Sequence, residues 1–139
     1  MADEPGVNSG LMVAQYTAAA LVAENRRLAA PASVDSIPTS GMQEDHVSMG
    51  WGAALKLRTV LDNLAHILAV ELCAAARAQE LRRPLEPSPA TSAVRVALRK
   101  QVAGVGPDRI VAPELAAAEA LIRDGTIIGA AESVVGSLR

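Results

Sequence analysis

Aromatic side chains are almost missing from this chain. Phe does not occur, and Tyr16 and Trp51 stand alone among 139 residues. Half the residues are hydrophobic, but many are Ala, which packs closely while burying little area each. Such a core is thin, and the chain is expected to need neighbours to cover its apolar surface. Cysteine is equally scarce: one residue, Cys73, excludes an internal disulfide framework. It lies in an apolar helical run with no evident base beside it, so it reads as a reduced, buried small hydrophobe and not as a nucleophile. Two histidines, His46 and His66, show no metal-site spacing with acids or Cys73. His66 reads as a packed core or interface residue. A net charge of −2 gives no footprint for nucleic acid. No apolar run of about 18 residues is free of charge, and no secretory leader is evident, so a cytoplasmic chain without a membrane span is expected. No internal repeat occurs, and no period-two run is strong enough to suggest a sheet. Gly104-Val105-Gly106-Pro107 lacks the Lys-Ser/Thr ending and preceding strand of a phosphate loop.

What remains is helix, broken by proline. Leu11 to Leu28 places Leu11, Ala14, Ala18, Leu21 and Val22 on one face, with Arg26 and Arg27 suiting the C-terminal end of the dipole. Asn8 or Ser9 is expected to cap it, its Ala18-Ala19-Ala20 run to touch another helix, and Pro31 to stop it. Tyr16 reads as packing. From about Gln43 to Arg82 the pattern is continuous helix. Ala54, Leu57, Leu61, Leu64, Leu68, Leu72 and Ala75 form a stripe at three- and four-residue steps, and Val60, Ile67 and Val70 add other apolar faces. Such a helix would span about 57 Å, too long for a compact domain of this size, which argues for a bundle shared with other helices or subunits. Arg82-Arg83-Pro84 ends it. Pro87 and Pro89 mark a linker, and Ser88 and Thr91 are cap candidates. A short helix from Ser92 to about Val102 turns Val94, Ala97, Leu98 and Val102 inward and Arg95, Arg99 and Lys100 outward. Another runs from Pro113 to about Asp124, with Gly125 just past its end. Thr126 to Ser137 completes an all-α chain. The expected division is bundle helices with a functional loop over 1–83, a linker over 84–91 and short helices over 92–139.

The densest polar run is Ser36-Ile37-Pro38-Thr39-Ser40-Gly41-Met42-Gln43-Glu44-Asp45-His46-Val47-Ser48-Met49-Gly50. Its residues allow two readings. In one, Ser40 and Gln43 form a capping box, and Glu44 and Asp45 are first-turn acids of the long helix. In the other, Gln43, Glu44 and His46 point into a site.

The run from Pro31 to Gly50 resembles the histidine ammonia-lyases of the aromatic amino acid lyase family. The resemblance continues in Asn8-Ser9-Gly10, Thr17-Ala18-Ala19-Ala20-Leu21, Pro87-Ser88-Pro89-Ala90-Thr91, Gly106-Pro107-Asp108-Arg109 and Ala112-Pro113. It covers nearly the whole chain but only the C-terminal part of the family's sequence. It implies the long-helix bundle of that fold, assembled as a tetramer. It also implies non-oxidative elimination of ammonia from L-histidine to give urocanate. The family's prosthetic group, methylidene-imidazolone, forms from an Ala-Ser-Gly triplet that this chain lacks. Thr39-Ser40-Gly41 is the nearest triplet, but it is not where the family carries its own. The family's catalytic tyrosine also falls outside the resembling segment, and Tyr16 does not match it.

By resemblance, Glu44 is the glutamate near the substrate's imidazole and the catalytic candidate, with Gln43 beside it for substrate binding. A carboxylate there accepts an imidazole N–H and steadies positive charge on the ring, which favours histidine over phenylalanine. Three functions are compatible with this. The chain is a lyase component working with a complementary N-terminal polypeptide or its own copies; or a non-catalytic remnant acting as a helical oligomerisation module; or part of a lyase or aminomutase for another aromatic amino acid. With neither electrophile nor base of its own, the chain alone is expected to be inactive and to carry no cofactor or metal.

Overall fold

A computed structural model describes Ala2 and residues 4–138. Five helices follow in order: α1 Met12–Leu28, α2 Gly50–Leu81, α3 Pro89–Leu98, α4 Ala112–Arg123 and α5 Thr126–Val135. Between α1 and α2 lie two short strands, β1 Pro38–Thr39 and β2 Glu44–His46. The all-α reading therefore holds for the body of the chain. The small hairpin was not expected, because strands of two and three residues carry no periodicity to read.

α2 is the axis. It holds 32 residues, or about 48 Å of helix. It starts at Gly50 and not at Gln43, so the expected capping box is corrected: Ser40 opens a 3-10 turn, Gln43 closes that turn, and Glu44 and Asp45 lie in β2. α1 packs along α2 through the expected face, with Leu11, Ala18, Leu21 and Leu28 half-buried and Ala14 buried. Val22 is left out of that contact, and Tyr16 is 60% exposed and so does not pack. The helices are pinned by Asn63 of α2, whose amide donates to Glu24 Oε2 at 3.0 Å and to Asn25 Oδ1 at 2.9 Å. Asn63 is itself buried, so those partners offset its desolvation.

The core lies at the other end of α2, where Ala69, Cys73 and Ala76 meet Leu98, Val102, Ala118 and Leu121. Only one of those α2 residues exceeds Ala in size. Small side chains let α4 approach closely, while Leu98 and Leu121 from the short helices supply bulk. Cys73 is buried as expected, and burial pushes its thiol up to about 11, so it is an inert packing group.

The large residues of α2 point elsewhere. Leu57, Leu61, Leu64 and Leu68 are 57%, 53%, 42% and 38% exposed. α2 is long and apolar enough to cross a membrane by length and composition alone, at a mean hydropathy of 1.4. However, its buried positions include Asn63 and Arg77, and Asp62 pairs with Arg123 of α4 at 3.0 Å. Of the two readings of His66, core or interface, the core one is corrected: its side chain is half-exposed. Its Nε2 lies 3.1 Å from Glu119, which also accepts from Arg123 Nε at 2.7 Å.

Two sequence segments far apart are joined at the α1 entry. The Asp108 carboxylate accepts the backbone N–H of Ser9 at 2.6 Å and of Gly10 at 2.9 Å, and Asn8 Oδ1 accepts the N–H of Asp108 at 3.1 Å. Asn8 and Ser9 therefore tie the lead-in to the 106–109 turn instead of capping α1, whose N-cap is Leu11. The amides of Ser9 and Gly10 hold the Asp108 carboxyl below the usual range. Arg77, buried, donates to the carbonyl of Gly106 at 2.9 Å from below the same turn.

Candidate functional site

The polar run folds as a hairpin and not as a helix start. β1 and β2 are antiparallel, pairing Pro38 with His46 and Thr39 with Glu44. Ser40, Gly41 and Met42 connect them, at φ of 52°, 63° and 69°. Gly41 takes that conformation freely, whereas Ser40 and Met42 pay for it sterically. Three consecutive left-handed residues turn the chain so that Gln43 and Glu44 follow at once on the exposed side. Strained backbone persists where surrounding structure holds it, and such positions concentrate at functional loops.

Two side-chain hydrogen bonds fix the hairpin. Ser36 Oγ donates to the carbonyl of Val47 at 2.5 Å, closing its base. Thr39 Oγ1 donates to Glu44 Oε2 at 3.1 Å, across the strand pair. The second bond orients one carboxylate oxygen and leaves the other for a ligand donor. Asp45 Oδ1 accepts the N–H of His46 at 2.8 Å, a local turn contact. Gln43 and Glu44 are both exposed. Beside them, an open concavity of about 690 Å³ is lined by residues that include Ser33, Ser36, His46, Ser48 and Met49. Of the expected site residues, His46 reaches that lining, whereas Gln43, closing the 3-10 turn, and Glu44, the first residue of β2, lie outside it.

The sequence singles out neither Thr39 nor Ser36 as a site residue. Nothing in their spacing announces a cross-strand contact until the register of the hairpin is known. The hydroxyl-rich composition of 33–48 was the one available signal. Among the described residues no cluster of His, Cys, Asp and Glu could hold a metal ion. Thr39-Ser40-Gly41 does not fit a self-cyclising imidazolone: the first residue is Thr and not Ala, and its hydroxyl is engaged with Glu44.

The family model for aromatic amino acid lyases matches residues 1–100. Histidine ammonia-lyases from Streptomyces avermitilis and Streptomyces coelicolor are each 64% identical to the chain, over 99% and 100% of it. That from Symbiobacterium thermophilum is 52% identical over 96% of it. The chain spans about a quarter of the length of these relatives, 26–27%. Among solved structures, histidine ammonia-lyase from Trypanosoma cruzi superposes with a TM-score of 0.90 at 38% identity, covering 95% of this chain and 26% of that one. Tyrosine aminomutase from Streptomyces globisporus does so with a TM-score of 0.88 at 39% identity, covering 98% and 26%.

Proposed function

The chain belongs to the aromatic amino acid lyase family, and from that premise we propose that it is the C-terminal component of a histidine ammonia-lyase. The observation that carries this reading is the 64% identity to two histidine ammonia-lyases over essentially the whole chain. The fold does not choose among substrates, since an ammonia-lyase and an aminomutase superpose on it almost equally well. The reading for histidine rests on the 64% identity to the Streptomyces enzymes, since the histidine ammonia-lyase and the aminomutase among the solved structures stand level at 38% and 39%.

In the proposed reaction, L-histidine loses its α-amino group as ammonia and a β-proton, leaving urocanate with no net redox change. This chain supplies the end of the site that holds the imidazole. Glu44, oriented by Thr39, accepts the ring N–H and stabilises positive charge there, and Gln43 donates and accepts around the same ring. The electrophilic imidazolone and the base come from the remainder of the enzyme, since no Ala-Ser-Gly occurs here. The exposed leucines of α2 are the surface through which that remainder, or further copies of this chain, are gathered. A cytoplasmic setting accompanies this reading.

Split-enzyme complementation tests it. The purified chain is mixed with a polypeptide covering the rest of the Streptomyces avermitilis enzyme, and urocanate absorbance is followed after addition of L-histidine. Turnover by the mixture and none by either piece is expected. Turnover by the chain alone, or a folded complex that deaminates tyrosine or phenylalanine in preference to histidine, would overturn the assignment.

A further inference from the structure

Basic residues are unevenly placed on a chain whose net charge is −2. Where the end of α2 meets α3, Glu80, Arg83, Arg95, Val96, Arg99 and Lys100 line a concavity of about 340 Å³. Four of these side chains are cations and one is an acid. That acid is already committed: Glu80 Oε1 accepts from Arg99 Nε at 2.6 Å, and Oε2 accepts the N–H of Val105 at 3.0 Å. Arg99 is thereby neutralised, which leaves Arg83, Arg95 and Lys100. Arg95 reaches an exposed carboxylate, Glu86, only at 3.9 Å. Its Nε is buried without a hydrogen-bond partner, and the side chain as a whole is 15% exposed. A buried guanidinium donor with no acceptor, at the wall of a cationic hollow, is an arrangement completed by an anion.

We propose that this concavity binds a small, multiply charged phosphate-bearing molecule. Its volume lies at the lower end of small-ligand sites. Three cations in excess match a charge of two or three, and the guanidinium forks of Arg83 and Arg95 suit bidentate contact with phosphoryl oxygens. Nucleic acid fits poorly: the cations surround a hollow instead of following a track, and Tyr16 and Trp51, which would stack bases, sit on α1 and at the start of α2. The hollow lies at the opposite end of α2 from the hairpin, roughly 45 Å along the helix. Its occupancy is therefore independent of the lyase reading.

Calorimetric titration of the 139-residue chain with sodium pyrophosphate at moderate salt tests this directly. Saturable one-site binding below about 1 mM is expected, weaker for inorganic phosphate. Arg83→Gln and Lys100→Gln, both at exposed positions that leave the fold alone, each weaken it about tenfold, the order of one charge-assisted contact. Arg58→Gln, on the exposed face of α2, leaves it unchanged. Absence of saturation up to about 10 mM overturns the proposal. So does equal weakening by Arg58→Gln, which would mark general charge screening instead of a site.

Discussion

Glu44 and Asp45 are neighbouring acids with different work. Glu44 is held by a cross-strand hydroxyl at 3.1 Å, while Asp45 bonds only to the next backbone amide. Charge at Glu44 matters if the imidazole gains charge in the transition state; charge at Asp45 does not. In the complemented enzyme Glu44→Gln is expected to lower kcat by about 30- to 1000-fold, or about 2–4 kcal/mol, with little change in KM. Thr39→Val, which removes the orienting hydroxyl, should give a smaller fall of about tenfold, restored by Thr39→Ser. Asp45→Asn should change neither kcat nor KM much, because asparagine still accepts the His46 amide. On the sequence alone Asp45 promised dipole stabilisation of a helix start, but α2 begins at Gly50, so that contribution disappears. Equal effects of Glu44→Gln and Asp45→Asn on kcat would rule out the proposed role for Glu44.

Among the elements, the junction of α2, α3 and the 104–106 turn hangs on Glu80. Burial alone would raise its carboxyl. The hydrogen bond from Arg99, the amide of Val105 and the charges of Arg99 and Arg95 together outweigh burial and hold it below the ordinary value. A depressed folded-state pKa stabilises the fold above the unfolded value of about 4.3, and that contribution fades as pH falls through the folded value. Glu80→Gln is therefore expected to cost about 1–3 kcal/mol at pH 7. Urea midpoints measured from pH 7 down to about 3 should show wild type and variant converging below about pH 4.5. A gap that stays constant with pH would mean that Glu80 acts through shape and not through charge.

The helices around this junction were legible because three- and four-residue spacing survives over ten or more residues, but the bounds of α3 are corrected: it runs Pro89–Leu98 and not Ser92 to Val102, because Pro89, read as linker, suits a first helical turn. Pro113 in the first turn of α4 and Gly125 at φ 81° after it behave as their chemistry requires. Ser88 accepts the Thr91 amide as a cap. The hairpin was illegible for the opposite reason. Ser40 and Gln43 imitate a capping box, and only the left-handed backbone at Ser40 and Met42 reveals a turn that their side chains do not advertise. Inward burial of the Arg95 and Arg99 stems was also missed, since spacing alone put them with Lys100 on the outer face. Their stems pack, and the head of Arg99 meets Glu80 at 2.6 Å, whereas that of Arg95 stands 3.9 Å from Glu86.

At the scale of the molecule, the division of labour on α2 decides how the chain behaves in solution. Its Ala and Cys face is spent on α4 and the core, while Leu57, Leu61, Leu64 and Leu68 run outward at steps of four, three and four. That is the seam spacing of helix association, and a continuous apolar strip of this kind marks an interface. Each of these leucines keeps about half its surface in water, so covering one gains roughly 1 kcal/mol. The isolated chain is therefore expected to show concentration-dependent self-association by sedimentation across the micromolar range. The double substitution Leu61→Glu and Leu68→Glu should leave helix content intact and abolish that association, because it places charge on an already exposed face. The same double variant should fail to complement the remainder of the lyase. A well-folded wild-type monomer at tens of micromolar that still complements normally with both leucines charged would mean that the strip faces water in the working protein, and that the bundle is closed through α1 instead.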